Sequence, residues 1–300
     1  MRVILLHNAG AGEDNHGAEE LESVVAAAGH EVRYSSLKQE GWEATLEDPA
    51  DLVVVAGGDG SVGRVFTELA TKDVPVTLLP VGSANNVART LGLADVPVGQ
   101  LVRGWADGRL GRFDIGEATA PWGTAQFVES IGGGIFGEVL EVADEIDAEE
   151  AEGDEKVTLG LELMRAVIDA APALRWEVQV DGVDFSGEFL GLEVTNIREI
   201  GPNFPLAPKA DPGDGLLDAV LVGTEQRDAL TGYFEDRLAG VEPRRQRFST
   251  SRGARVVVRP PAETSLHVDD EFWPTDPSAR GAGSAVVTAS ASVRLLLPRF

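Results

Sequence analysis

Three stretches of this 300-residue chain end in residues that could do phosphate chemistry. In "VVVAGGDGSVGRVF" (53–66), four apolar residues lead into Gly57, Gly58, Asp59, Gly60 and Ser61, and then into a helix-like pattern. "LLPVGSANNVARTLG" (78–92) repeats the design with Gly82, Ser83, Asn85 and Asn86, and "LLHNAGAGEDN" (5–15) puts Asn8 ahead of a third glycine-rich exit. Glycines let backbone N–H groups approach a phosphate, and the positive end of the helix that follows faces the same anion. A carboxylate at Asp59 would repel that anion directly. With a magnesium ion between them, it would instead hold the cation that neutralises the charge of phosphoryl transfer. The plain alternative is a strand-to-helix turn in which Asp59 merely caps the helix. On the 53–66 loop alone the two readings are even.

Other chemistries fit less well. Gly58, Gly60 and Gly63 spell G-x-G-x-x-G. A dinucleotide fold, however, wants that loop after its first strand and an acid about 20 residues further on. Here the loop follows the third apolar run, and residues 78–83 hold no acid. A P-loop needs G-K-[ST], and no lysine is near. The G-x-S-x-G elbow of hydrolases fails because the window around Ser61 begins with Asp59, and no histidine is well placed for a triad. The chain has no cysteine, which removes disulfides, thiolate catalysis and Cys-bearing zinc sites. His7, His16, His30 and His267 show no metal-ligand spacing.

The elements that must position the loops alternate through the first 115 residues. "RVILLH" (2–7), "EVRYSSL" (31–37), "DLVVVAGG" (51–58) and "VPVTLLPVG" (74–82) read as strands, the first apolar throughout as in a strand buried on both faces. Helical patterns follow them at 17–28, 61–70, 85–92 and 97–110. Such alternation predicts a parallel sheet between helices, with the glycine-rich exits of three strands forming one crevice at its C-terminal edge. After Gly111 the texture changes to short strand-like runs separated by turns, with two helices near 136–150 and 157–171. The reading is a three-layer α/β domain over 1–113 and an all-β sandwich with a helical insertion over 114–300. The segment 138–155 carries ten acids and no base, but Phe136, Val139, Ala143 and Ile146 keep helical spacing, as on a solvated helix.

Formal charge is −25, from 50 acids and 25 bases, which disfavours nucleic acid as a partner. No stretch has the length of a membrane span, and "MRVILLHNAG" is too short an apolar run for a signal peptide, so the expected location is cytoplasmic. One segment runs against the overall charge: "EPRRQRFSTSRGARVVVR" (242–259) gathers Arg244, Arg245, Arg247, Arg252, Arg255 and Arg259. It reads either as a solvated loop or as a patch for anionic lipid headgroups.

"GGDGS" (57–61) followed by "PVGSANNVARTLG" (80–92) resembles the catalytic domain of the diacylglycerol kinase family, whose patterns are G-G-D-G-T and P-x-G-T-x-N-D. The likeness is strongest to the bacterial lipid kinases related to sphingosine kinases, in the superfamily of NAD kinase. It runs on through "FDIG" (113–116), "NIREIGPNFPLAPKADPGDGLLDAVLV" (196–222), which is similar to a stretch ending in D-G-x-L-D, and "HVDDEFW" (267–273), where D-G-E is expected.

The resemblance implies ATP held between the domains, with Asn8, Gly57, Gly58, Gly60, Ser61, Gly82, Ser83 and Asn85 lining its phosphates. It implies Asp59 in the water network around a catalytic Mg2+, with Asp114 near it, and a structural magnesium at Asp214. Glu271 would be the general base that takes the proton of a lipid hydroxyl, and Asp269 would support the metal network. The acceptor would be a lipid such as diacylglycerol, met peripherally at a membrane surface; the oligomeric state, a homodimer included, stays open. Three departures matter. Asn86 stands where the family has aspartate, Asp270 replaces the glycine of D-G-E, and Gly63-Arg64 replaces an Asn-Glu pair. They leave two alternatives: a soluble-substrate kinase similar to NAD kinase, or a non-catalytic lipid- or nucleotide-binding protein.

Overall fold

A computed structural model describes residues 1–9, 16–146, 153–262, 264, 266–276, 278 and 283–300. Most of the glycine-rich exit after Asn8, and the middle of the acidic segment, lie outside the described residues.

The first half is built as its pattern predicts. Strands β1 (Arg2–His7), β2 (Glu31–Ser36), β3 (Leu52–Gly57) and β4 (Val76–Pro80) lie parallel in the order β2-β1-β3-β4. Helix α1 (Ala18–Ala27) joins β1 to β2, a 3-10 turn at Trp42–Glu47 joins β2 to β3, α2 (Asp59–Leu69) joins β3 to β4, and α3 (Asn86–Thr90) and α4 (Val98–Arg103) follow β4. All six residues of β3 are buried, because helices cover both faces of a parallel sheet. Leu21 and Val25 of α1, and Val62, Val65, Phe66 and Leu69 of α2, close the core around β1 and β3.

The second half holds β5 (Arg109–Ala120), β6 (Gly123–Phe127), β7 (Ser130–Gly134), helices α5 (Ile135–Glu145) and α6 (Gly153–Ala170), then β8 (Leu174–Val180), β9 (Val183–Asp184), β10 (Gly187–Phe189), β11 (Gly191–Thr195) and β12 (Leu217–Val222). Helix α7 (Arg227–Leu238), β13 (Ser249–Gly253), β14 (Arg255–Arg259), β15 (Leu266–Val268), β16 (Glu271–Trp273) and β17 (Ala285–Leu297) follow. An antiparallel sheet of order β13-β12-β11-β7-β15-β16 stacks on β8, β14 and β17, with Ile131, Leu192, Val194, Trp176, Val178, Val256 and Val287 between the layers. Its other face is covered by α5, α6 and α7 over Leu161, Phe204, Val220 and Phe234. The sandwich and its inserted helices agree with the sequence reading. Helix α7 was not expected: Leu230, Tyr233 and Phe234 bury one stripe of it, but Gly232 and the charged residues around them mask the period. Ile146, the last apolar position of the spacing that begins at Phe136, is exposed.

Two strands tie the halves together. β17 runs antiparallel along β5 from Val286↔Thr119 to Leu297↔Arg109, and near its end Leu295 pairs with Val76 of β4. The parallel sheet therefore continues into the sandwich as one sheet of 11 strands. Two runs that read as single strands, "GTAQFVESIGGG" (123–134) and "GEFLGLEVTNI" (187–197), break in the middle so that the chain can change sheets. The break at Val128–Glu129 becomes part of the site.

Candidate active site

The exits of β3 and β4 meet where the glycines stand. A Cβ on Gly82 would lie 2.3 Å from the Cα of Gly58, and one on Gly57 would lie 2.6 Å from the Ser61 hydroxyl. Asn85, left-handed at φ 54, closes the second loop: its Oδ1 accepts from the Gly82 N–H at 3.1 Å, and its Nδ2 donates to the Gly82 carbonyl at 2.6 Å. Asn8 joins the first strand to the others, with its Nδ2 donating to Ser61 Oγ at 3.3 Å. Asn8, Gly57, Gly58, Gly60, Ser61, Gly82, Ser83 and Asn85 thus lie along the C-terminal edge of β1, β3 and β4. The edge faces the turn between β15 and β16, since Gly60 and Gly63 leave room for Asp270 and Asp269: Cβ atoms there would be 3.9 and 3.7 Å from Asp270 Oδ2 and Asp269 Oδ2.

Asp59 opens α2, yet it does not cap its own helix. Its Oδ2 accepts from the Asn86 N–H and its Oδ1 from the Val87 N–H, both at 2.9 Å, so it satisfies the first two donors of α3. Burial raises its carboxyl pKa against the pull of these amides. Asp269 does the equivalent work in the sandwich. The chain leaves one sheet at Val128 and enters the other at Ser130, and the N–H groups of Val128, Glu129 and Ser130 all donate to the Asp269 carboxylate, at 2.9–3.1 Å. Burial still carries that carboxyl up to about 6.

Between them sits Glu129, which the sequence analysis did not single out. Burial pushes its carboxyl well above the usual range, and the charges of Asp59, Asp269 and Asp270 push it further. Its Oε2 accepts from Asn86 Nδ2 at 3.3 Å, while the same amide donates to the Gly201 carbonyl at 3.0 Å and its Oδ1 accepts from Asn203 at 3.1 Å. An ionised aspartate at position 86 could donate to neither oxygen, and a protonated one to a single oxygen at most. The amide there belongs with a carboxylate at 129, so Asn86 is no simple loss. Glu129 lay hidden because "QFVESIGGG" reads as one strand ending in glycines, and only the break between sheets turns its side chain into the crevice.

Four carboxylates thus converge with the exits of β3 and β4, and they fit a hydrated hard cation. Their mutual repulsion favours one, and their oxygens suit magnesium. Among the described residues no three His, Asp or Glu side chains stand close enough to chelate a metal directly. Any such ion would be held through water and ligand oxygens. Glu271 follows the turn as the first residue of β16, exposed.

The remaining two expected ligands lie elsewhere in their contacts. The Asp114 carboxylate is taken by Arg112 and by the Gly215 N–H at 2.7 Å, and no described contact joins it to Asp59. Asp214 accepts from the Leu216 N–H at 3.0 Å and is paired with Arg252, which also lies 3.6 Å from Asp218. Both expected metal residues are thus already partnered within the protein, Asp214 by a guanidinium and Asp114 by a guanidinium and an amide.

Residues 1–118 match the family model of the diacylglycerol kinase catalytic domain, and residues 130–289 match that of the YegS C-terminal NAD kinase β-sandwich-like domain. The chain is 28% identical over 237 residues to the diacylglycerol kinase of Bacillus subtilis, which covers 77% of this chain and 74% of that one. It is 26% identical over 267 residues to the diacylglycerol kinase of Mycobacterium tuberculosis, covering 86% and 80%. A crystal structure of a diacylglycerol kinase from Bacillus anthracis shares the fold, with a TM-score of 0.71 at 20% identity over 99% of this chain and 97% of that one.

Proposed function

This chain belongs to the diacylglycerol kinase catalytic-domain family, and on that premise we propose that it transfers the γ-phosphoryl group of ATP to the hydroxyl of a lipid such as diacylglycerol. The observation that carries the reading is the convergence of Asp59, Glu129, Asp269 and Asp270 on the glycine-rich exits of β3 and β4. The amides of those exits and the N-terminus of α2 would cradle the triphosphate. Asp59 and Glu129 would hold a hydrated Mg2+, whose chemistry is to neutralise charge building on the phosphoryl oxygens. Glu271 would accept the proton of the acceptor hydroxyl as that oxygen bonds to the γ-phosphorus. The bond from phosphorus to the β–γ bridging oxygen breaks, and ADP leaves. Positioning and charge neutralisation would supply most of the acceleration.

The lipid would be met at a membrane surface; no helix among the described residues is long and apolar enough to cross one. Arg244, Arg245 and Arg247 are exposed between α7 and β13, whereas Arg252 and Arg259 are engaged by Asp214 and Glu177. Phe248 anchors the segment against Phe204, at the end of the loop that reaches Asn86. At about 1 kcal/mol per base, losing the three arginines would weaken binding to anionic vesicles on the order of a hundredfold. Vesicle flotation that is indifferent to their substitution would dispose of this docking surface.

The kinase reading is tested by radiolabel transfer from ATP, with Mg2+, to diacylglycerol, a sphingoid base and NAD. A labelled lipid with wild type, and loss of at least a hundredfold with Asp59→Asn, is the expected result. Label on NAD alone would move the chain to the soluble-substrate reading, and no product with any acceptor would favour a binding protein.

A further inference from the structure

Glu193 and His267 are buried charged groups that the catalytic reading does not use. Glu193 is on β11 and His267 on β15, two strands apart, and each stands directly opposite Gly132 of the strand between them. Glu193 Oε2 lies 3.2 Å from His267 Nε2. The contact exists only because position 132 has no side chain: a Cβ there would sit 1.9 Å from that oxygen. The other ring nitrogen, Nδ1, lies 2.9 Å from the carbonyl oxygen of Asp269. Both nitrogens therefore face acceptors, and a neutral imidazole could donate to only one of them. Burial lowers the pKa of this ring, but the charge and hydrogen bond of Glu193, with the Asp269 carbonyl, outweigh burial and raise the pKa above its ordinary value. Glu193 is fully buried, and its Oε1 has no partner among the described residues. So much polar investment in one place calls for a task.

The task is at the turn. Asp269 is left-handed at φ 50, a conformation that L side chains rarely adopt and that persists only where the surroundings impose it. The imposing contacts are its carboxylate on three amides, its N–H donating to the Ser130 carbonyl at 2.8 Å, and its own carbonyl on His267. The next two residues are Asp270, facing Gly60, and Glu271.

We propose that Glu193 and His267 form a buried positioning pair that, reaching across Gly132, sets the height of the 269–271 turn over the N-terminus of α2 and so acts on phosphoryl transfer through Asp270 and Glu271. The proposal rests on the kinase reading for its consequence, but not for its geometry.

The informative variant is the apolar pair Glu193→Leu with His267→Phe, because it removes both partners without leaving one unpaired in the core. The double variant is expected to melt no lower than wild type, yet to lose at least tenfold in kcat with KM for ATP within about twofold. In the unliganded protein, the amides of Val128, Glu129 and Ser130 are expected to exchange hydrogen at least tenfold faster. Glu193→Gln keeps a hydrogen bond to the ring and should restore kcat to within about threefold of wild type. Unchanged kcat and unchanged exchange in the double variant would overturn the proposal, as would a Glu193→Gln no better than Glu193→Ala. If wild type phosphorylates nothing, the kinase reading fails, and the exchange experiment still decides whether the pair holds the turn.

Discussion

Asp59, Glu129, Asp269 and Asp270 share one small volume, so each charge raises the free energy of the charged form of its neighbours. Asp269 carries the arithmetic furthest. Its carboxyl is at about 6 against an ordinary 3.8, so the folded protein binds that proton more tightly than the unfolded chain. Its contribution to stability is complete below about pH 4 and is lost as the pH rises through about 6. The melting temperature of the unliganded protein should therefore fall between about pH 4 and pH 6, and Asp269→Asn should flatten that slope in scanning calorimetry. Glu129 allows a sharper test. Glu129→Gln removes the charge that three others oppose, so it should raise the melting temperature at pH 7.5 by a few degrees, corresponding to about 1 kcal/mol, while lowering turnover at least tenfold. A variant that is both less stable and fully active would mean the carboxylate is structural. Stability gained as function is lost is the mark of a strained site. Of this cluster the sequence displays Asp59, Asp269 and Asp270, because they sit in loops whose glycines and acids stand out. Glu129 was illegible, since a single glutamate inside an alternating run looks like the solvent face of a strand.

Loops and strands set the spacing of these side chains, and the glycines divide into two kinds. Gly82 is a contact glycine: a Cβ 2.3 Å from the Gly58 backbone would force β3 and β4 exits apart. Gly60 is different, since a Cβ would meet only Asp270 Oδ2, at 3.9 Å, within the protein itself. Gly82→Ala should therefore destabilise the fold and abolish activity together. Gly60→Ala, in the first turn of α2, should leave the melting temperature unchanged or raised, because alanine favours helix by about 1 kcal/mol over glycine. If a triphosphate lies over Gly60, the same substitution should weaken ATP binding at least tenfold by titration calorimetry; unchanged affinity would place the nucleotide elsewhere. The β-α alternation of the first half was legible for the reason that it folds: each strand is continuous and apolar, and each exit carries its turn residues. In the second half the runs at 123–134 and 187–197 each hide a change of sheet. Such a break leaves amides without ladder partners, and what satisfies them, Asp269 at 128–130, comes from about 140 residues away in sequence, beyond any local pattern.

At the scale of the molecule, the two halves share their last strand. A division at residue 113 follows the change of texture, but Val293, Leu295 and Leu296 of β17 are buried in the same core as β1 and β3. Each such side chain contributes about 1.5–3 kcal/mol when buried, and whole domains are stable by only about 5–15 kcal/mol. The first half without β17 would lose a sum comparable to its entire margin, and would expose the edge of β4 where Leu295 now pairs. The site is subject to the same dependence, since its carboxylates come from both halves and the turn bearing Asp269 lies close over α2. One cooperative unit follows: calorimetry of the full chain should show a single transition, and the 1–113 segment produced alone should give the collapsed amide dispersion of an unfolded chain in a proton–nitrogen spectrum. A well-dispersed spectrum for that segment would show that β17 merely docks on a finished domain. The two halves could then move independently, and the crevice would assemble only on closure.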